Sequence, residues 1–314
     1  PLDGTINSVN IGKGANSVNG NTVLGENALD ASVSGANNTA VGIDTLTLLT
    51  SGASNTAIGS EALEDNTTGS FNVGIGRQAL KDNTEASNNI GIGRNALGAN
   101  TTGTQNIAIG SLALDSNTTA SNNTAVGYNS LTANTTGTAN VVVGSTALDA
   151  NTTGDSNVAI GHNSLSANTT ASNNTAVGRD SLRVNTTGGQ NTALGTNALD
   201  ANTTANDNTG LGYQALTANT TGTGNIGVGS NALRDNSTAD YNTAVGHQAL
   251  LLNSTGENNT AIGAFALDAN STGSSNQAFG WGSLGGNSTG SQNTAVGLRA
   301  LRANSTANNN TAVE

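Results

Sequence analysis

The sequence predicts an all-β chain, a parallel β-solenoid (β-roll) built from 17-residue coils. Three observations carry this expectation. Asn stands at every seventeenth residue from Asn21 to Asn310. Counting from that Asn, Gly holds position 5 from Gly25 to Gly297, and Leu holds position 9 from Leu29 to Leu301. Between them lies a short alternation of aliphatic or β-branched residues with small ones, as in Thr56-Ala57-Ile58 and Val73-Gly74-Ile75. A fixed period of this length marks stacked repeats, each touching only its neighbours.

Composition agrees. The chain has 314 residues, a length that would suggest about two globular domains, but only one Trp, three Tyr and three Phe, with no Cys or Met. So little large apolar surface cannot fill a globular core. It can fill a thin one if the same positions stack on themselves. A disordered Gly/Asn/Thr tract is the competing reading of such a composition, and the retention of Leu at every ninth position opposes it. The net charge of −11 disfavours nucleic acid or an anionic membrane surface as partner, because both require a basic face. The absence of Cys excludes a disulfide scaffold and thiolate metal sites. There is no signal peptide and no apolar run long enough to span a bilayer.

Within one repeat, β-branched residues at positions 2 and 4 predict a short strand with those two side chains on one face, read here as the inward face. Gly at position 5 (Gly59, Gly76, Gly127) permits a sharp turn or a close backbone approach. The small residue and Leu at positions 8 and 9 (Ala62-Leu63, Leu80, Ser130-Leu131) form a second inward element. Asn-Thr-Thr-Gly then supplies turn chemistry. Two strands and two turns make one coil. Stacked at about 4.8 Å, the coils would form a rod roughly 80–90 Å long, with a column of Leu beside a column of Ile and Val.

Charges occur at positions 6, 7, 10, 11, 16 and 17, as in Arg77, Glu61, Lys81, Asp82, Asp155 and Asp207, with Glu85 at position 14 the departure. Buried columns exclude charge, and signs mix between coils, Glu64 being followed by Lys81. The Asn columns at position 1 (Asn55, Asn72, Asn123, Asn140) and position 12 (Asn66, Asn83, Asn134) are expected to form amide ladders, as in stacked in-register strands. The Asn-Thr-Thr triplets also fit the N-glycosylation pattern, but repetition in every coil favours the ladder. Position 3 holds Ala, Gly or Val (Ala57, Gly74, Gly91, Ala108, Ala125, Val142). An apolar outward side implies a covering partner, so these residues are expected to form an inter-chain face.

In chain order, residues 1–20 break the period and read as one or more irregular, shorter N-terminal coils. Residues 21–314 read as regular coils forming one continuous rod. The first two lack Asn at position 12, carrying Ser32 and Leu49. The region around Phe279, Trp281 and Gly285-Gly286 is the least typical of the body, with Gln277 where Thr is expected. The sequence stops inside a repeat, shows no capping coil at either end, and is read as a segment truncated at both ends.

Ser8-Val9-Asn10-Ile11-Gly12-x-x-Ala15 and the later Asn-Thr-Ala-Val-Gly-x-x-Ala/Ser-Leu resemble the head repeats of trimeric autotransporter adhesins (YadA-like heads). They also resemble repeats of bacteriophage tail fibres and bacterial surface fibres. The resemblance covers essentially the whole chain. It implies a left-handed β-roll in each chain, a homotrimer packed about a common axis, and a role in attachment or as a fibre shaft. The longer period here departs from the adhesin pattern at Asn-Thr-Thr-Gly.

Catalytic chemistry is not expected. His162 and His247 both sit at position 6, 85 residues and five coils apart, too far to share a metal or a catalytic set, and each reads as a solvated surface residue. No Ser-His-Asp set, recurring carboxylate pair, phosphate loop or cofactor motif can be assembled. The expected function is a non-enzymatic structural or adhesive fibre segment, extracellular on a cell or virion surface, associating with itself as a trimer or a longer fibre. A host-surface or glycan receptor is a candidate partner. The alternative is an ice-binding solenoid using the Thr columns at positions 13 and 14.

Overall fold

Within each of the two units of the chain, a regular repeat contributes one short strand, at positions 2 to 4, stacked in parallel on that of the neighbouring repeat of the same unit. A computed structural model describes residues 4–6 and 9–314. Ser8 of the N-terminal motif, with residues 1–3 and 7, lies outside the described residues. The chain divides into two units, Pro1–Ser156 and Asn157–Glu314, the division falling between two repeats of the sequence. No α-helix is present among the described residues; a single 3₁₀ turn covers Ala15–Ser17.

In the first unit, β3 (Thr22–Gly25) is followed by one strand per coil, from β4 (Thr39–Val41) to β10 (Val141–Val143). Like pairs with like: Thr39 with Thr56, Ala40 with Ala57, Val41 with Ile58. The second unit repeats this from β11 (Val158–Ile160) to β20 (Thr311–Val313), for example Thr175 with Thr192 and Val177 with Leu194. Both are parallel β-solenoids with a 17-residue coil.

The other wall of the coil is not a second strand. The N–H of Ala62 donates to the carbonyl of Gly59 (3.3 Å), and that of Asn66 to Leu63 (3.2 Å), which makes two successive tight turns. Inter-coil bonding continues through them: Leu63 N–H donates to Ala79 O at 3.0 Å and Asp65 N–H to Lys81 O at 3.0 Å. The turns require left-handed backbone at positions 7 and 9, with φ of 58° at Glu61 and 51° at Leu63. Left-handed φ at Leu costs about 1–2 kcal/mol. Full burial of the side chain contributes about 1.5–3 kcal/mol, so Leu is retained.

The strand faces the other way from the sequence expectation. Ala57 at position 3 is 0% exposed, whereas Ile58 at position 4 is 39% exposed. Leu is the reason. A Cβ on Gly74 would lie 3.3 Å from Cγ of Leu63, and one on Gly91 would lie 3.1 Å from Cγ of Leu80. The Leu side chains fill the lumen, and the residues opposite them are Ala or Gly, with Val only at Val23 and Val142. The core is therefore Leu, Ala and Asn, without an Ile/Val column.

The N-terminal segment is not a shorter coil. β1 (Gly4–Ile6) pairs antiparallel with β2 (Val9–Gly12), and β2 pairs antiparallel with β3, matching Asn10 to Gly25 and Gly12 to Val23. Beyond β2 the chain covers the first coil: Ala15 N–H donates to Leu29 O (3.1 Å) and Asn16 Nδ2 to Val33 O (3.0 Å). Val23, Leu29 and Val33 are buried beneath it. A cap, which the sequence did not announce, is thus supplied by reversed strands.

Candidate functional site

The two Asn columns are buried and hydrogen-bonded, but differently. At position 12 the amides form a side-chain ladder: Asn83 Nδ2 donates to Asn66 Oδ1 at 3.1 Å and Asn134 Nδ2 to Asn117 Oδ1 at 3.1 Å. The same amide groups also donate within their own coil, Asn66 to Gly69 O at 3.0 Å and Asn134 to Gly137 O at 2.9 Å. At position 1 the main partner is backbone. Asn72 N–H donates to Asn55 Oδ1 (3.0 Å) while its Nδ2 donates to Ala86 O (2.8 Å); Asn140 N–H donates likewise to Asn123 Oδ1 (3.0 Å). Both columns replace water by protein partners, which a buried amide requires. Asn66, Asn83 and Asn134 are fully buried, so the folded chain presents no acceptor amide at these triplets.

Gly at position 5 is demanded by a close approach. Gly59 and Gly76 have φ of +132° and +127°, and a Cβ on Gly76 would stand 2.6 Å from Gly93 O. Gly127 has φ of +140° and the same neighbour one coil on. Leu63, Leu80 and Leu131 are fully buried.

The expected inter-chain residues are all interior. Ala57, Ala108, Ala125 and Val142 are 0% exposed, and Gly74 and Gly91 are buried. They face their own coil, so the inter-chain assignment of position 3 is corrected. The residues that do face outward are at positions 2 and 4. In the first unit Ile109, Val141 and Val143 are exposed; in the second, Ile160, Leu194, Ile226 and Ile262. Neither column contains a charge anywhere in the regular coils. Each unit thus carries an uncharged sheet face, mostly Thr, Val, Ile and Leu with Gln277 and Phe279 in the second, open in the single chain.

Charged groups lie on the remaining rim. Lys81 Nζ sits 2.9 Å from Glu61 Oε2 and 3.3 Å from Glu64 Oε2. Hydrogen bonds from Gln78 and Lys81 hold the Glu61 carboxyl below its ordinary range. In the second unit Arg183 pairs with Asp200 at 2.9 Å one coil away. Such partly exposed pairs contribute about 0–1 kcal/mol each. Burial raises the carboxyls of Asp115, Asp149 and Asp268.

One feature lay outside the sequence expectations. His247, Phe265, Trp281 and Arg299 come from four successive coils and form a row. His247 and Phe265 meet edge-to-face at 5.4 Å, Phe265 and Trp281 at 5.8 Å, and the Arg299 guanidinium lies 4.7 Å from the Trp281 ring centroid. His247 is therefore exposed but packed, not merely solvated. The signal was present as alternation of ring-bearing residues between positions 6 and 7, which are neighbours only once coils stack. His162 is exposed in its own coil.

Among the described residues no group of three His, Cys, Asp or Glu side chains is placed to hold a metal ion. No helix among them is long and apolar enough to cross a membrane. Compared with known proteins, the chain matches no protein-family model and no curated relative.

Proposed function

We propose that this chain is a non-enzymatic, extracellular fibre segment whose copies pack against one another through the outward sheet face at positions 2 and 4. The observation that carries the reading is that face: uncharged, aliphatic at position 4 in every regular coil except that of Phe279, and open in the single chain. Exposed apolar surface of such extent marks an association site, and a strand apolar on its outer side is one that is covered. The occupant is a second and third copy of the same chain, since identical faces repeat along each unit. This moves the interface from position 3 to positions 2 and 4 while keeping the homotrimer. The resemblance to YadA-like heads and tail-fibre repeats points to a cell or virion surface as the setting, with attachment or spacing as the role.

Sedimentation equilibrium of the chain tests the assembly. A mass of three chains is expected. A folded monomer at micromolar concentration would overturn it.

A second reading, ice binding, is favoured by the same face. In the second unit Thr175, Thr192 and Thr209 succeed one another at position 2 beside Val177, Leu194 and Leu211. The Thr pair at positions 13 and 14 suits that role less well. Position-13 hydroxyls donate to the next coil, Thr101 to Thr118 O at 3.0 Å and Thr186 to Thr203 O at 3.1 Å. Thermal hysteresis from a monomer would establish the ice reading and displace the fibre.

A further inference from the structure

One coil in the second unit lacks side chains that its neighbours carry. From Asn276 to Gln292, positions 7, 10 and 11 are Gly282, Gly285 and Gly286. The corresponding residues two coils earlier are Gln248, Leu251 and Leu252. Column 10 consequently reads Asp268, Gly285, Arg302. An acid and a base stand one coil either side of a gap, about 10 Å apart along the stack.

The gap is a cleft of about 310 Å³, walled by Phe265 and Trp281, floored by the three glycines, with Asp268 and Arg302 at its ends. A Cβ on Gly285 would stand 3.1 Å from Asp268 Oδ1, so the absence of a side chain there is what opens the carboxylate to the cleft. Trp281 is 40% exposed, and Arg299 over its ring holds the indole in place.

We infer that this cleft is a binding subsite for a pyranose sugar. The lining specifies the ligand chemistry. Two aromatic walls require a ligand with an apolar patch, and the C–H face of a pyranose ring is one. Asp268 accepts hydrogen bonds and Arg302 only donates them, so the ligand must carry donors and acceptors at opposite edges, as ring hydroxyls do. The volume is at the small end of ligand pockets, roughly 300–1,000 Å³, which fits one or two rings and excludes a folded partner. Two guanidinium groups, Arg299 and Arg302, against one carboxylate disfavour a cationic ligand. The larger cleft, beside Lys81, Asp82 and Asp115, has no aromatic wall and carries no comparable specification.

The inference stands apart from the assembly reading: the cleft lies at positions 6, 7, 10 and 11, off the outward sheet face, and binding is measured whatever the mass of the particle. Trp281 is the only tryptophan, so selectively excited tryptophan emission of the whole chain reports on this cleft. The probes are methyl glucopyranoside, methyl galactopyranoside, N-acetylglucosamine and sodium glucuronate, with sorbitol as the open-chain control. At least one pyranose is expected to shift the emission saturably with a midpoint of about 1–10 mM, and sorbitol to leave it unchanged. Gly285→Thr restores the residue that Thr132 and Thr217 supply at position 10, and so keeps the fold. It is expected to weaken the response at least about tenfold with unaltered circular dichroism. No saturable shift with any of the four sugars, an equal shift with sorbitol, or an undiminished response in Gly285→Thr would overturn the subsite.

Discussion

Cγ of Leu63 stands 3.3 Å from the point that a Cβ on Gly74 would occupy. This facing pair, repeated as Leu80 with Gly91 and Leu199 with Gly210, sets which side of the strand is interior. It also separates two roles that the alternation leaves entangled: position 3 packs the chain against itself, and positions 2 and 4 meet whatever lies outside.

The first prediction follows from that packing. Ala125→Leu would overfill a lumen already occupied by Leu, costing about 1–3 kcal/mol or more, and Leu131→Ala would leave a cavity costing about 2–5 kcal/mol. Both are expected to lower the denaturant midpoint of the first unit. If Ala125→Leu changed the oligomeric mass and left stability untouched, position 3 would be an interface after all.

Substitution on the outward face should do the reverse. Ile109→Lys with Ile262→Lys places charges on two exposed positions. The expected result is dissociation to single chains in sedimentation with β-sheet circular dichroism retained. A trimer that survives both charges would locate its contacts elsewhere.

Gly76→Ala tests the close approach at position 5. Its φ of +127° is hostile to an L side chain, and the added Cβ would stand 2.6 Å from Gly93 O. Backbone strain of this kind costs about 1–3 kcal/mol before any clash. Local loss of amide protection in hydrogen exchange around Gly76 and Gly93 is the readout; protection equal to that of the parent chain would contradict it.

For the position-12 ladder, Asn134→Asp removes the donor to Asn117 Oδ1 and Gly137 O and buries a carboxylate. A loss of about 2–4 kcal/mol is expected near neutral pH. The variant should recover part of it on acidification, because burial raises the carboxyl pKa and the neutral form is the one tolerated. Urea titrations at two pH values would show whether that recovery occurs.

The pH dependence of the parent chain has a definite sign. Burial raises Asp115, Asp149 and Asp268 above the ordinary value of 3.8. Their ionisation is disfavoured in the folded state, so each withdraws stability as pH rises from its unfolded value through its raised folded value. Glu61 acts oppositely: its lowered pKa adds stability above the ordinary value of 4.5, which is lost as pH falls through the folded value. Four raised carboxyls, Asp82 being the fourth, against one lowered group, together with relief of a net charge of −11, predict a melting temperature near pH 4.5 no lower than at pH 7. Asp115→Asn should raise the melting temperature at pH 7; a fall would show that the Asp115 carboxylate is stabilising.

Much of the coil was legible without coordinates. A period of 17, Gly at position 5, Leu at position 9 and Asn at position 12 each state a local requirement: a backbone approach, a buried aliphatic group, a stacked amide. Such requirements are met residue by residue and repeat with the sequence. Period-two alternation, by contrast, says only that positions 2 and 4 share a side. Which side is interior depends on the size of the lumen, and Leu63 entering from the opposite wall determines that, leaving room for Ala57 and Gly74 but not for Ile58. The reversed strand Val9–Gly12 was likewise hidden, because its motif is that of a coil and only its antiparallel partner Thr22–Gly25 distinguishes it. So too was the cleft at Gly285, whose walls Phe265 and Trp281 are 16 residues apart in the chain. The sequence by itself determined the period and the local chemistry of one turn; the direction of the strand faces, the cap and the cleft were decided by stacking, which brings together residues that no local pattern connects.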